Sequence, residues 1–187
     1  MVDYRKNKNQ HTLTPVTING SAVERVDTFK YLGVNIQSNL KWDGHVNGVV
    51  KKAQQRLYAL RRLKKFGLRP NTIRDFYRGT VESLLTGAFT SWFGGCTKKD
   101  HKALTRVVRT AQHITGCELP SLEDLYNQRC ITKSLRIIGD STHPHGRMFS
   151  PSKSQRVKGY KSKKARTKRM RNSFFPKAIR LLNGKKE

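Results

Sequence analysis

Asp43-Gly-His-Val-Asn-Gly-Val-Val-Lys-Lys-Ala-Gln-Gln-Arg-Leu-Tyr-Ala-Leu-Arg-Arg-Leu-Lys-Lys-Phe-Gly67 decides the fold class. Val46, Val49, Val50, Ala53, Leu57, Leu60 and Leu63 recur at helical spacing, which predicts one long helix from about Asp43 to Phe66. Asp43 suits the N-cap, and Gly67 stands where a left-handed glycine ends a helix. The remaining positions carry Lys51, Lys52, Arg56, Arg61, Arg62, Lys64 and Lys65. No Asp or Glu lies between Asp43 and Asp75. A face of that kind neutralises phosphates, releases counterions and gives salt-dependent affinity. Trp42 and Tyr58 stand ready to stack on bases or sugars. The plainer alternative is a solvated helix face.

Downstream, Pro70 suits a first helical turn, and Ile73, Phe76, Tyr77, Val81, Leu84, Leu85, Ala88, Phe89 and Trp92 continue a second helix, apolar over a broad face. Gly79 and Gly87 either weaken it or permit close packing. Thr97 and Asp100 form a capping-box pair before a third helix that ends at Gly116. Ser121 and Asp124 repeat the pattern before a fourth, which carries Leu122, Leu125, Ile131, Leu135 and Ile138 and is followed by Gly139. Four helices with short connections make a compact bundle over residues 39–140.

Upstream, residues 1–38 read as strands. Asn19-Gly20 is a hairpin signal, since both central positions of a type I′ turn need positive φ. Val26-Asp-Thr-Phe-Lys-Tyr-Leu-Gly-Val34 follows, with Tyr31, Leu32, Val34 and Ile36 in the next strand and Gly33 marking a bulge or close approach. The fold class is therefore α+β, mainly α.

Charge restricts function. The 187 residues carry 39 Lys or Arg against 12 Asp or Glu, a formal charge of +27. Fifteen of those cations, and no acid, fall between Ser141 and Lys186. Residues 141–187 are thus expected to be a basic, largely disordered tail with a short terminal helix opened by Pro176. Within it Lys161, Lys163, Lys164, Arg166, Lys168, Arg169 and Arg171 are candidate nucleic-acid contacts. The same clusters are compatible with nuclear import. Nucleic acid is the partner such an excess implies first; no apolar run nears the roughly 18 residues of a membrane span. Oligomeric state is left open.

Cys96, Cys117 and Cys130 are an odd, scattered set that reads as reduced intracellular thiols. Cys117, Cys130, His143 and His145 lack the close pairs typical of structural zinc, so no metal and no cofactor is expected. No nucleophile–base motif and no carboxylate cluster stands out, so no catalytic residue is assigned.

The order hairpin, aromatic-Leu-Gly and basic helices resembles the end of a LINE-type (non-LTR) retrotransposon reverse transcriptase. The runs that carry it are Phe29-Lys-Tyr-Leu-Gly33, Lys51-Lys-Ala-Gln-Gln-Arg-Leu-Tyr58, Val107-Val-Arg-Thr-Ala-Gln112 and Ser173-Phe-Phe-Pro-Lys-Ala-Ile-Arg-Leu-Leu-Asn183. Met1-Val-Asp-Tyr-Arg5 resembles the strand that follows the palm's last lysine motif. The resemblance implies that residues 1–38 are the edge of a palm sheet and 39–140 a helical thumb. Lys30, Tyr31 and Gly33 would then sit in a tight turn against a primer's terminal sugar-phosphates, and the catalytic aspartates would lie in palm motifs upstream. The same region is similar to a domain family labelled after the N-terminus of an AlkB-type tRNA dioxygenase–methyltransferase. The sequence has neither a His-x-Asp for an iron triad nor a glycine-rich methyl-donor loop, so that chemistry is not expected of it.

Overall fold

The computed structural model describes residues 1–4, 16–152 and 159–184. The chain is mainly helical, with short hairpins ahead of a helical region. β1 (Thr17–Ile18) and β2 (Ser21–Ala22) pair across Asn19-Gly20, whose φ values of 50° and 79° fit the expected turn. β3 (Thr28–Tyr31) and β4 (Val34–Gln37) form a second, separate hairpin in the register Phe29↔Ile36 and Tyr31↔Val34. The single strand expected through Tyr31, Leu32 and Val34 is thereby corrected. Leu32 (φ 46°) and Gly33 (φ 81°) are its turn rather than a bulge, and Leu32 is 85% exposed. Residues 1–4 form no strand; they lie beside this region, with Val26 donating to the Met1 carbonyl and Arg25 paired with Asp3 at 2.6 Å. Arg5 lies outside the described residues.

α1 (Asp43–Lys65) is the spine, burying His45, Val46, Val49, Ala53, Leu57 and Leu60. Trp42 occupies the N-cap without a side-chain cap, and Asp43 sits one place inside, where its charge still faces the positive helix end. Gly67 ends the helix at φ 75°.

The expected second helix is interrupted. α2 (Pro70–Tyr77) widens into a π-helical turn over Arg78–Glu82, continues as α3 (Ser83–Leu85) and stops. Thr80, Ser83 and Thr86 each turn a hydroxyl back onto the carbonyl four residues earlier, which bends helices. Ala88 then takes a left-handed φ of 48°, and α4 (Phe89–Trp92) starts in a new direction before a 3₁₀ turn at Phe93–Gly95. Neither Gly79, in the π-helical turn, nor Gly87, in the break between α3 and the next helix, is tightly approached, so neither serves close packing. The tight glycines are Gly94 and Gly95. A Cβ on Gly94 would lie 1.9 Å from the Asn172 carbonyl oxygen, and one on Gly95 would lie 2.6 Å from Trp42 Nε1.

α5 (Lys98–Thr115) opens with the complete Thr97/Asp100 capping box and closes on Gly116 at φ 70°. Ser121 caps α6 (Leu122–Gly139). α6 buries Leu122, Tyr126, Cys130, Ser134 and Ile137; of the apolar residues noted in the sequence, Leu125 and Ile138 pack beside that stripe and Leu135 is 53% exposed. Tyr, Cys and Ser carry the core stripe, and the leucine pattern sits beside it. The core runs from Val34 and α1 through Tyr77, Phe89, Trp92 and Tyr126 to Ala178 and Ile179.

The expected short terminal helix is present as the last element, and residues 161–167 form no regular element, but the described tail is more folded than its charge suggests. A 3₁₀ turn at Gly146–Phe149 and a bridge between Pro151 and Tyr160 lead to α7 (Lys168–Asn172) and α8 (Phe174–Gly184). α8 packs on α6, with Ala178 and Ile179 buried; the Tyr126 hydroxyl donates to the Asn172 carbonyl at 3.1 Å. Phe149, Tyr160, Phe174, Phe175, Ile179, Leu181 and Leu182 supply apolar anchors scattered among the cations, enough to hold the segment down. The rest of the disorder expectation, residues 153–158 and 185–187, lies outside the described residues.

Candidate nucleic-acid interface

The β3–β4 hairpin is fixed to α1 from its inner side. Val34 is buried, Ile36 packs on the core, and the Asn35 amide donates to His45 Nδ1 at 3.4 Å. The outer strand β3 is exposed throughout, with Phe29 at 50% and Tyr31 at 57%. Above the junction lies a groove of about 430 Å³ lined by Lys30, Gly33, His45, Lys52, Ser83 and Ala88, among others, and no carboxylate contributes to it. Lys30 and Gly33 from the hairpin thus share one recess with Lys52 of α1; Tyr31, between Lys30 and the turn in sequence, is not among its lining residues.

The other α1 cations are exposed along the same helix: Lys51, Arg56, Arg61, Arg62, Lys64 and Lys65. Three of their head groups touch the protein. Arg56 donates to the Thr80 carbonyl at 2.6 Å, Lys64 to that of His113 at 3.4 Å, and Arg62 lies 5.3 Å over the Phe66 ring. Lys51, Arg61 and Lys65 show no such contact among the described residues. Tyr58 is 63% exposed and available for stacking. Trp42 is half-buried against His45 and Gly95, so it belongs to the bundle.

In the tail, Lys161, Lys164, Arg166, Lys168, Arg169 and Arg171 are exposed and Lys163 is half-buried. Arg169 reaches back to the Leu40 carbonyl at 3.2 Å, bringing α7 beside the start of α1. The basic tail is therefore placed next to the hairpin–helix junction.

His45 was not singled out in the sequence. It is 4% exposed, packs edge-on to Trp92 at 4.9 Å between ring centroids, and its Nε2 has no hydrogen-bond partner among the described residues. Burial, with Lys52 nearby, lowers its pKa, so the ring is neutral with Nδ1 as the acceptor for Asn35. The sequence also gave no notice of a second groove, about 680 Å³, between α4 and α6, with Arg129, Lys133 and Arg136 in its wall. Their spacing, i, i+4 and i+7, was the available signal.

No group of three or more His, Cys, Asp or Glu that could hold a metal occurs among the described residues. Cys130 is buried and its thiol is pushed up to about 11, chiefly by burial; Cys96 is pushed up to about 12 by burial and by Asp100. Neither is poised as a thiolate ligand or nucleophile. No described helix is long and apolar enough to cross a membrane.

Residues 42–83 match the family described as "Alkylated DNA repair protein alkB homolog 8, N-terminal". The matched stretch holds all of α1, with its seven cations, and continues into α3. No curated protein and no solved structure matches the chain.

Proposed function

We propose that this chain is a non-catalytic nucleic-acid-binding module that grips RNA, DNA or a hybrid through phosphate contacts along α1 and the hairpin turn. The observation that carries the reading is the acid-free recess in which Lys30, Gly33 and Lys52 meet, set in a chain of formal charge +27. Cations spread over a helix face bind phosphates in register but carry no sequence information, so preference among sequences is small. The finer reading follows the resemblance to the end of a LINE-type reverse transcriptase. The turn at Tyr31–Gly33 meets a recessed 3′ end, and Lys51, Lys52 and Arg56 meet the backbone behind it.

The family match at residues 42–83 favours a second reading, a host RNA-binding module or an AlkB-labelled domain without catalytic residues of its own. That module would prefer a folded RNA to a primer–template duplex with a recessed end. Fluorescence anisotropy over a salt series tests the shared core of both readings. The log of affinity should fall steeply and linearly with log salt, about 0.9 per phosphate contacted on duplex DNA. A flat salt response defeats the electrostatic account.

A further inference from the structure

The groove between α4 and α6 is built from Thr90, Gln128, Arg129, Thr132, Lys133 and Arg136 over an apolar floor of Phe89 and Leu125. No carboxylate lines it. Its cations are fixed to different degrees. The Arg129 guanidinium donates to both the carbonyl and the hydroxyl of Thr86, the latter at 2.8 Å, which clamps α6 to the break in the second helix. Lys133 Nζ sits 3.3 Å from the Thr90 hydroxyl and over the Phe174 ring. Arg136 is exposed and has no partner among the described residues. Ala88, held at positive φ in that break, belongs to this groove and to the hairpin groove alike. The two recesses meet at one residue, and both present cations without acids.

We propose that the α4–α6 groove is a second phosphate-binding subsite, occupied by the backbone of a single strand that crosses Ala88 from the hairpin groove. This rests on the nucleic-acid reading above and extends it to residues that nothing else assigns. Recesses of about 430 and 680 Å³ admit a nucleotide or two each, whereas a duplex would touch only their rims. Arginine and lysine in a groove that tracks a backbone are the usual way to hold a single strand without reading its sequence. Arginine's planar fork also matches phosphate oxygens. An acidic peptide offers the same sign of charge, but its carboxylates need not follow the path from one recess to the other.

The test compares a short labelled oligothymidylate with a blunt duplex of equal length, on the full chain. The variant is Thr132→Glu with Arg136→Glu, two exposed positions of α6, checked for folding by circular dichroism. Oligothymidylate affinity should fall about tenfold, with the salt slope smaller by about one, while duplex binding is nearly unchanged. If Arg136→Gln alone lowers the slope in the same direction, charge repulsion by the new glutamates is not the cause. Unchanged oligothymidylate binding in a variant panel where Lys51→Ala still weakens binding overturns the second subsite and leaves the proposed function standing. Insensitivity to both changes overturns both. An equal loss on strand and duplex, or displacement of the strand by polyglutamate at matched charge, also overturns the single-strand track.

Discussion

The β3–β4 hairpin and the tail from Gly159 onward are both short and peripheral and both carry aromatic side chains beside cations, one lysine in the hairpin and many in the tail, yet they use the aromatics in opposite ways. The tail turns Tyr160, Phe174, Phe175 and Ile179 onto the bundle and leaves most of its described cations outside, with Lys163 and Lys177 half-buried. In the hairpin, β4 lies against α1 and covers Val34 and Ile36, while their cross-strand partners Tyr31 and Phe29 on the outer strand, and Leu32 in the turn, stay largely in water. An aromatic side chain gives most of its stabilisation through burial. In the tail, packing explains the aromatics and the cations are then carried at fixed positions. In the hairpin, packing explains only the inner strand. The exposed Tyr31 next to Lys30 and a tight turn is the feature left for recognition to explain.

The largest effect on folding should come from the tail's anchor. Ile179 is 1% exposed, at the contact of α8 with α6. Ile179→Ala should destabilise the protein by about 2–4 kcal/mol, as truncation of a buried isoleucine does. Trypsin should then cut readily between Lys161 and Arg171, sites held near the bundle in the parent. If the variant melts and resists trypsin like the parent, the tail is not held by its apolar face, and the contrast with the hairpin collapses.

What the sequence made legible is what short-range chemistry sets. Thr97 with Asp100, Ser121, Gly67, Gly116 and Asn19-Gly20 all act within a few residues, and each is found in its expected place. From residue pattern alone Leu32 hid a turn, because leucine rarely takes positive φ and Tyr31-Leu32-Gly33 reads as continuous strand; only the family resemblance implied a tight turn there. The buried stripe of α6 was not legible from its apolar residues, because polar-capable Tyr126, Cys130 and Ser134 occupy it and Leu135 does not. Like charge masked the tail's sparse anchors. Of the candidate site, the cations of α1 were visible from composition and spacing. The recesses were not, because each joins residues far apart in the chain: Lys30 with Lys52 and Ala88, then Ala88 with Arg136.

A smaller effect should appear with acid, at the hairpin's attachment. His45 in the folded protein has a pKa below the ordinary value of about 6.5, from burial first and Lys52 second. The unfolded chain therefore takes up a proton at a higher pH than the folded one. Stability from this group is present above about pH 6.5 and is lost as pH falls below it, by no more than about 1.4 kcal/mol per pH unit. Protonation also removes the Nδ1 acceptor for the Asn35 amide, so the hairpin loosens with the same titration. His101, likewise lowered by burial, adds a term of the same sign that is independent of the hairpin. Hence His45→Gln should flatten part of the stability–pH profile between pH 5 and 7 without abolishing it. A profile identical to the parent's would show that His45 does not carry the coupling.

The smallest effect on folding, and the sharpest on binding, is expected at Tyr31. Its ring is more than half exposed and its strand lies on the outer side of a two-stranded hairpin, so Tyr31→Ala should change stability by no more than about 0.5 kcal/mol. Lys51 is exposed too, but it offers a phosphate only charge. Lys51→Ala should therefore weaken blunt and recessed duplexes alike and reduce the salt slope by about one. Removing the Tyr31 ring should weaken the recessed 3′ duplex by about 1–3 kcal/mol, the range for base–aromatic stacking, and leave the blunt duplex and the slope as they were. The two variants separate a positioning charge from an end-recognising ring because only a recessed duplex presents a primer terminus to the turn. Parent-like binding of both duplexes by a folded Tyr31→Ala protein would mean that the Tyr31 ring has no part in recognising an end. The hairpin would then join the tail as a structural edge, with the grip left to α1 and the grooves beside it.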